Sequence, residues 1–536
     1  MSKEEKQFQY WAEKSAEGVL ERYPDEKIYT CAAGISPSGK LHFGNFRDLI
    51  TVYAVAKELE KMGKKTRIIY SFDNYDRFRK VPSNVPESFE EHIGKPLTGV
   101  PDPEGEKTSY AIRFQEELEE ATKRMGMNVE YISQTEKFTS GVYAEGIKKA
   151  MQNREDIAKI LLSFMSDKSK QARNLDEAKY IAEYYPLTIY SEFSGKDNTE
   201  VLSYDGEYTV TYKCHDTDKE STINFKEKPI VKLPWKVDWP MRWEYENVTY
   251  EPSGADHTAP QGSYYVGVEI AKKLYSNIPC YDSYNFVGIQ GQGSKMSGSK
   301  GNAVTPNELM QIYEKSLLKW IYLRKNPHQT FSLAFNTELY RQYDEFDRAA
   351  IALNKNELPE SEKRQLEVSY DETGEDVPEK PFPFKQAVAL GQIVQWDAKK
   401  VQEILYSLEQ QYDIATIERR LPLAKAWLEI YNPDEMISLC ESTNSDYVQS
   451  MSDDSKQKIQ ALKEKLEEDL TGMKELEATV YAIPKDESLS QKENAPLQRA
   501  FFKDVYNLLI GQDKGPRLST FLWAVDRKAV LRLLDI

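Results

Sequence analysis

Ile28-Tyr29-Thr30-Cys31-Ala32-Ala33, followed by Pro37-Ser38-Gly39-Lys40-Leu41-His42-Phe43-Gly44-Asn45 and then Arg47-Asp48-Leu49-Ile50-Thr51-Val52-Tyr53-Ala54-Val55-Ala56, is the stretch that decides the fold. The first run is short and apolar and reads as a strand; the last reads as a helix. A Gly-rich turn between a strand and a helix brings backbone N–H groups and a helix N-terminus to a point where an anion can sit. Thr66-Arg67-Ile68-Ile69-Tyr70-Ser71-Phe72 reads as a second strand, so the segment opens a doubly wound parallel sheet with a βαβ unit.

Working outward, residues 1–27 read as a helical lead-in. Pro82, Pro86, Pro96, Pro101 and Pro103 then interrupt regular structure, and residues 110–185 read as helices with a short strand near Val129-Glu130-Tyr131-Ile132. Residues 186–235 read as a polar insertion in which Val201 to Tyr212 alternates like a hairpin, and 236–305 return to the sheet. Thr305-Pro306-Asn307-Glu308 is a helix start, with Thr as cap and Pro in the first position. Glu357 to Lys380, acidic and Pro-rich, reads as a linker or exposed loop; beyond 385 the pattern is helical, most amphipathic from Lys456 to Leu470. The expected architecture is an α/β, Rossmann-type parallel-sheet catalytic domain over 1–300 with an insertion at about 100–235, then all-α C-terminal domains over 301–385 and 386–536.

The chain has 536 residues, 40% of them apolar, which suits a soluble protein of several domains. Its charged first residues lack the apolar core of a signal peptide, and no apolar run is long enough to span a bilayer, so no membrane partner is expected. Cys31, Cys214, Cys280 and Cys440 form no CxxC pair, which points to a reducing, cytoplasmic setting. The net charge of −16 weighs against nucleic-acid binding unless local patches supply it; the candidates are Lys226 to Arg242 and Lys514 to Arg532, with a solvated charged face as the competing reading.

Gly34 to Lys40 spells GxxxxGK, but Leu41 follows where a phosphate loop needs Ser or Thr for magnesium, and Pro37 removes a backbone donor. His42 and Asn45 lie three apart at the helix start, on one face, and both can donate to phosphate oxygens as charge builds on them. Lys295-Met296-Ser297-Gly298-Ser299-Lys300 is a Gly/Ser loop able to deliver a cation to a leaving pyrophosphate. Gly288, Gly291 and Gly293 do not fit the spacing of a dinucleotide fingerprint.

The His42 and Lys295 segments resemble the HIGH and KMSKS motifs of class I aminoacyl-tRNA synthetases, with Asn45 in place of the last His and Gly298 in place of the fourth-position Lys. Longer stretches resemble the class I lysyl-tRNA synthetases: Ser71 to Pro82, Ile93 to Leu97, Pro101 to Gly105, Ser109-Tyr110-Ala111, Leu233 to Trp243, Glu251 to His257 and Gly262-Ser263-Tyr264. The resemblance is dense over 28–345 and resumes at Gly515-Pro516-Arg517-Leu518-Ser519. It implies a lysyl-adenylate made from L-lysine and ATP, with Mg2+ accompanying ATP, and transfer to the 2′-OH of the terminal adenosine of tRNA(Lys).

Carried over by residue, the resemblance assigns catalysis to His42, Asn45 and Lys295. It assigns ATP binding to these three with Pro37, Ser38, Gly39, Gly44, Met296, Ser297 and Ser299. Lys300 is a candidate substitute for the missing lysine. The lysine pocket would use Gly34, Ser36, Trp235, His257 and Tyr284, whose aromatic faces suit an aliphatic stem and an ammonium. A buried ammonium needs acceptors, and Asp73 and Asp76 are the candidates, with pairing to Arg77, Arg79 and Lys80 as the competing reading. Trp239 and Trp243 read as core. Arg517, with Phe521 and Trp523, is a candidate for tRNA contact. Many relatives carry two CxxC pairs in the insertion; here Ser191 to Gly195 and Cys214 to Thr217 stand there, so no structural zinc is expected. A glutamate- or glutamine-type class I synthetase, an RNA-binding or regulatory derivative without ligase activity, and an activating enzyme with another acceptor remain open on the sequence.

Overall fold

The computed structural model describes residues 9–83, 85–290, 303–468 and 472–536, and the chain divides into two compact units. The first comprises residues 1–309, 315–333 and 358–376; the second comprises 310–314, 334–357 and 377–536.

The first unit is built on a parallel sheet. Strand β1 (Tyr29–Ile35) pairs with β2 (Thr66–Phe72), which pairs with β3 (Glu130–Ser133); on the other side β1 pairs with the strand Val248–Tyr250. Helix α1 (Trp11–Arg22) precedes β1, and α2 (Phe46–Lys61) makes the crossover from β1 to β2. Residues 46–56 of α2 are buried without a break, because α1, the sheet and the helix Lys315–Leu323 enclose it on different sides. The turn therefore feeds a fixed helix, and the carboxyl ends of four parallel strands open beside it, where α/β sheets bind ligands.

Strand β3 pairs in this sheet, although it lies within the insertion expected from about residue 100. The insertion contains an antiparallel sheet of Thr199–Tyr204, Thr209–Cys214 and Lys219–Asn224, with the expected hairpin. Val210, Tyr212, Cys214, Ile223 and Phe225 pack with Phe138, Tyr143, Ile147 and Tyr190 into one apolar cluster.

The segment 357–380 is not a linker or an exposed loop throughout. Its acidic composition hides the helix Glu360–Tyr370, whose Leu366 and Val368 are buried and which packs on Lys315–Leu323 within the first unit. Arg364 Nε from this helix donates to the buried Glu58 at 2.6 Å. At the expected helix start, Thr305 Oγ1 accepts from Glu308 N and Glu308 Oε2 accepts from Thr305 N, but the helix runs only Pro306–Leu309.

The second unit is helical, from Glu338–Asn354 to Arg527–Leu533. Tyr343 and Phe384 stack at 4.0 Å in its core, and Arg420 is buried between Glu314 and Asp347, bonded to both carboxylates. The helix Gln491–Ile510 opens with a capping box of Ser490 and Glu493 and stops at Gly511, whose φ of +67° is left-handed.

Candidate active site

Gly34 sits opposite Ser71 in the β1–β2 register, and a Cβ there would lie 2.8 Å from the Ser71 carbonyl oxygen. Only glycine allows the two strands to close at the point where the turn leaves the sheet. In the turn, His42 N–H donates to Asn45 Oδ1 at 3.1 Å, and Gly44 N–H donates to His42 Nδ1 at 3.1 Å. The first bond occupies the Asn45 carbonyl and leaves its NH2 as a donor. The second makes Nδ1 an acceptor, so the neutral His42 ring carries its proton on Nε2. Two side chains three apart are thus oriented as donors at the start of α2.

Both line two clefts, one of about 430 Å3 shared with Ser38, Gly39 and Lys40, and one of about 1190 Å3 that reaches Gly34, Ser36, Asp73, Asp76, Trp235, His257 and Tyr284. Gly44 borders the larger. Lys40 Nζ is bound to Glu308 at 2.7 Å, so it is not the free cation a phosphate loop requires. Pro37 lies in the same turn and borders neither cleft. Lys295, Met296, Ser297, Ser299 and Lys300 lie outside the described residues.

A smaller cavity of about 90 Å3 lies deeper, bordered by Gly34, Asp48, Asp73, Trp235, Trp239, Arg242, Glu251, His257 and Tyr284. The helix Trp235–Tyr245 follows Pro234 and presents indoles four apart on one face: Trp235 stacks on Trp239 at 4.7 Å, and Trp239 leans on Trp243 at 5.2 Å. Trp239 and Trp243 are core residues, as their spacing suggested, and both indole N–H groups donate to Glu251, at 2.9 and 2.8 Å. The buried Trp235 Nε1 has no partner among the described residues.

Asp73 and Asp76 are both paired, but not with Arg77, Arg79 or Lys80. Arg242 Nη1 donates to Asp73 Oδ1 at 2.5 Å, and Lys232 Nζ to Asp76 Oδ1 at 2.5 Å. Burial works to raise the Asp76 carboxyl, yet Lys232, Arg242 and the Ser36 hydroxyl hold it below the usual range. The carboxyls at the deep cavity with no ion pair among the described residues are Asp48 and Glu251, neither of them a candidate from the sequence. Burial pushes Asp48 up to about 8, against hydrogen bonds from backbone N–H groups. Burial pushes Glu251 up to about 7, against its two indole donors. Burial and the charges of Asp48, Asp256 and Glu251 also raise the Tyr284 hydroxyl. One sequence signal did mark Asp48: it is a charged residue set directly against Leu49 to Ala56, a nearly all-apolar run in which every position is buried. For Glu251 the signal was absent, since its donors come from another element.

In the insertion, Ser194 Oγ lies 3.6 Å from Cys214 Sγ. Burial raises this thiol, but hydrogen bonds with Ser191, Thr217 and Ser194 outweigh it and bring it to about 7. Among the described residues no group of three or more His, Cys, Asp or Glu could hold a metal ion. In the second unit Arg517 is exposed and bound to Glu477, Trp523 is partly exposed, and Phe521 is buried, which removes it as a base-stacking surface. The Lys226 to Arg242 patch is largely neutralised: Lys226 pairs with Glu145, Lys228 with Glu192, Lys232 with Asp76 and Arg242 with Asp73.

A parallel sheet with oriented side-chain donors at its first crossover and an aromatic pocket at its carboxyl edge is the arrangement of a class I aminoacyl-tRNA synthetase. The family described as tRNA synthetases class I (K) matches residues 9–372, and the chain belongs to it. It is 36% identical to a lysine–tRNA ligase of Streptomyces coelicolor, over 98% of each chain. It is 35% identical to one of Thermococcus kodakarensis, over 98% of this chain and 99% of the relative, and 34% identical to one of Pyrococcus furiosus over the same shares.

Proposed function

We infer that the protein is a lysine–tRNA ligase that uses ATP. The observation that carries the choice of lysine is the deep cavity. Two carboxyls without ion pairs among the described residues, Asp48 and Glu251, face it together with Trp235 and Tyr284. Such a site is completed by a cation with an apolar stem. The acceptors of the ε-ammonium are therefore Glu251 and Asp48, with Asp73 and Asp76 holding the pocket's walls through Arg242 and Lys232. A glutamate- or glutamine-type enzyme would need a cation free to meet the substrate, but Arg242 is bound to Asp73 and Asp238.

The lysine carboxylate attacks the α-phosphorus of ATP, the bond to the β-phosphate oxygen breaks, and pyrophosphate leaves. His42 Nε2–H and the Asn45 amide donate to the phosphate oxygens as negative charge accumulates, and Lys295 neutralises the leaving group. Mg2+ enters with ATP as part of that substrate. The terminal 2′-OH of tRNA(Lys) then attacks the lysyl carbonyl carbon, loses its proton, and AMP departs. Four free thiols suit a reducing cytoplasm, and no helix among the described residues is long and apolar enough to cross a membrane.

The test is ATP–pyrophosphate exchange with each of the twenty amino acids, with and without tRNA, followed by charging of total tRNA. Lysine-dependent exchange and lysyl-tRNA are expected. No exchange under either condition would move the chain to the non-ligase reading.

A further inference from the structure

The loop after β2, Asp76-Arg77-Phe78-Arg79-Lys80, is anchored by its middle residue. Phe78 is buried and edge-on to Tyr110 at 5.3 Å; its N–H donates to Lys95 O at 2.8 Å and its carbonyl accepts from Gly94 N at 3.0 Å. With Phe78 held inward, the residues on either side are presented outward, and Arg77, Arg79 and Lys80 are all exposed. All three border the cleft of about 430 Å3 whose opposite wall is Ser38, Gly39, His42 and Asn45. Arg77 is loosely tied to Asp197 at 3.5 Å. Arg79 and Lys80 have no ion pair or hydrogen bond among the described residues. This stands out in a chain of net charge −16, in which Lys40 in the same cleft is bound to Glu308.

We propose that Arg77, Arg79 and Lys80 form a subsite for the backbone phosphates of the RNA 3′ strand entering the active site. The proposal rests on the ligase reading. The donors for the ATP phosphates are already present on the inner wall, at His42, Asn45 and the start of α2. The second substrate must bring a ribose hydroxyl to the same place while its strand leads out to solvent. Exposed cations along the rim suit a strand that is held and then released, and a local positive rim on an acidic protein steers a polyanion to that one mouth.

The experiment uses the full chain with Arg79→Ala/Lys80→Ala, and Arg79→Lys as the charge-preserving control. Binding of tRNA(Lys) is measured over a salt series, alongside the KM for ATP and lysylation by the parent. The double variant is expected to lower the salt slope of tRNA binding by about 1.4, at roughly 0.7 for each single-strand phosphate that is no longer neutralised. The Arg79→Lys variant keeps the slope, the KM for ATP stays put, and the difference vanishes with tRNA trimmed of its single-stranded 3′ end. An unchanged slope with a raised KM for ATP would reassign the rim to the triphosphate, and no change in either would make it a solvated face; both overturn the proposal. If the parent lysylates tRNA while the slopes coincide, this inference alone fails. If the parent neither binds nor charges tRNA(Lys), the ligase reading fails with it.

Discussion

Arg242 Nη1 donates to Asp73 Oδ1 over 2.5 Å, and Arg242 Nη2 donates to Asp238 on the same buried ladder. Asp73 therefore serves the protein's own cation. Asp73→Asn should cost stability, by about 1–3 kcal/mol for a weakened buried pair, read as a lower urea midpoint. The KM for lysine should not move measurably. A large rise in that KM at unchanged stability would return Asp73 to the substrate.

Glu251 has the opposite signature. Its partners are the neutral indole N–H groups of Trp239 and Trp243, so its charge is left for a ligand. Glu251→Gln keeps an acceptor for one indole and removes the charge. The KM for lysine in pyrophosphate exchange should rise roughly 30-fold or more, the effect of about 2 kcal/mol or more expected when a buried charge loses its partner. The KM for ATP should stay constant, since the donors proposed for ATP lie on the turn at His42 and Asn45. Equal rises in both would locate Glu251 in general architecture rather than in the lysine pocket.

The pH dependence follows from the same two carboxyls. Glu251 at about 7 and Asp48 at about 8 both lie above their unfolded values of roughly 4. Between those limits the folded state holds more protons than the unfolded one, so their contribution to stability is complete below about pH 4 and is lost as pH rises through 7 to 8. Lysine reverses the sign, because an ammonium favours the ionised carboxylates. The thermal shift produced by lysine should grow from pH 6 to pH 8.5, with proton release on binding visible as a buffer-dependent heat. A shift independent of pH would exclude both groups as acceptors.

What could be read in advance was whatever depends on near neighbours in the chain. The β1–turn–α2–β2 unit is spelled by two apolar runs around a Gly/Pro turn, and the strand expected near Val129–Ile132 is β3 at Glu130–Ser133. The partners of Asp73 and Asp76 were not legible, since adjacency suggested Arg77, Arg79 and Lys80, while the fold brings Arg242 from the helix Trp235–Tyr245 and Lys232 from the end of the insertion. Residues 360–370 were hidden for a related reason: the average charge of the segment concealed Leu366 and Val368, and only packing tells a two-residue apolar face from none.

Gly44 tests the turn itself. A Cβ at this position would lie 2.9 Å from the His42 ring, at Cε1 and Nδ1. Gly44→Ala must turn the imidazole or break the 3.1 Å bond that makes Nδ1 an acceptor. Exchange should slow by about 10²-fold or more, the usual cost of losing one preorganised transition-state donor, with the KM for lysine unchanged. A rate within a few-fold of the parent would mean that His42 acts without this orientation.

Ser194 stands from Cys214 at about the spacing of two sulfurs in a zinc site. Zn–S bonds of about 2.3 Å place the sulfurs of a tetrahedral site about 3.8 Å apart, and Ser194 Oγ is 3.6 Å from Cys214 Sγ. Ser191 and Thr217 also hydrogen-bond to the thiol, so three hydroxyls surround one sulfur. A hydroxyl is too poor a zinc ligand to hold the ion alone, but it can satisfy the buried thiol, and the apolar cluster of Tyr212, Ile223 and Phe225 supplies the packing. The parent should therefore bind no zinc at this site, and lysylation with Mg2+ supplied should survive treatment with a zinc chelator. Ser191→Cys/Ser194→Cys/Thr217→Cys, which completes four thiols, should bind one equivalent of Co2+ with a tetrahedral thiolate spectrum and gain a metal-dependent rise in Tm. Zinc retained by the parent would overturn the claim that one thiol and three hydroxyls cannot hold the ion, and no cobalt spectrum from the triple variant would mean that these four side chains do not share the geometry of one site.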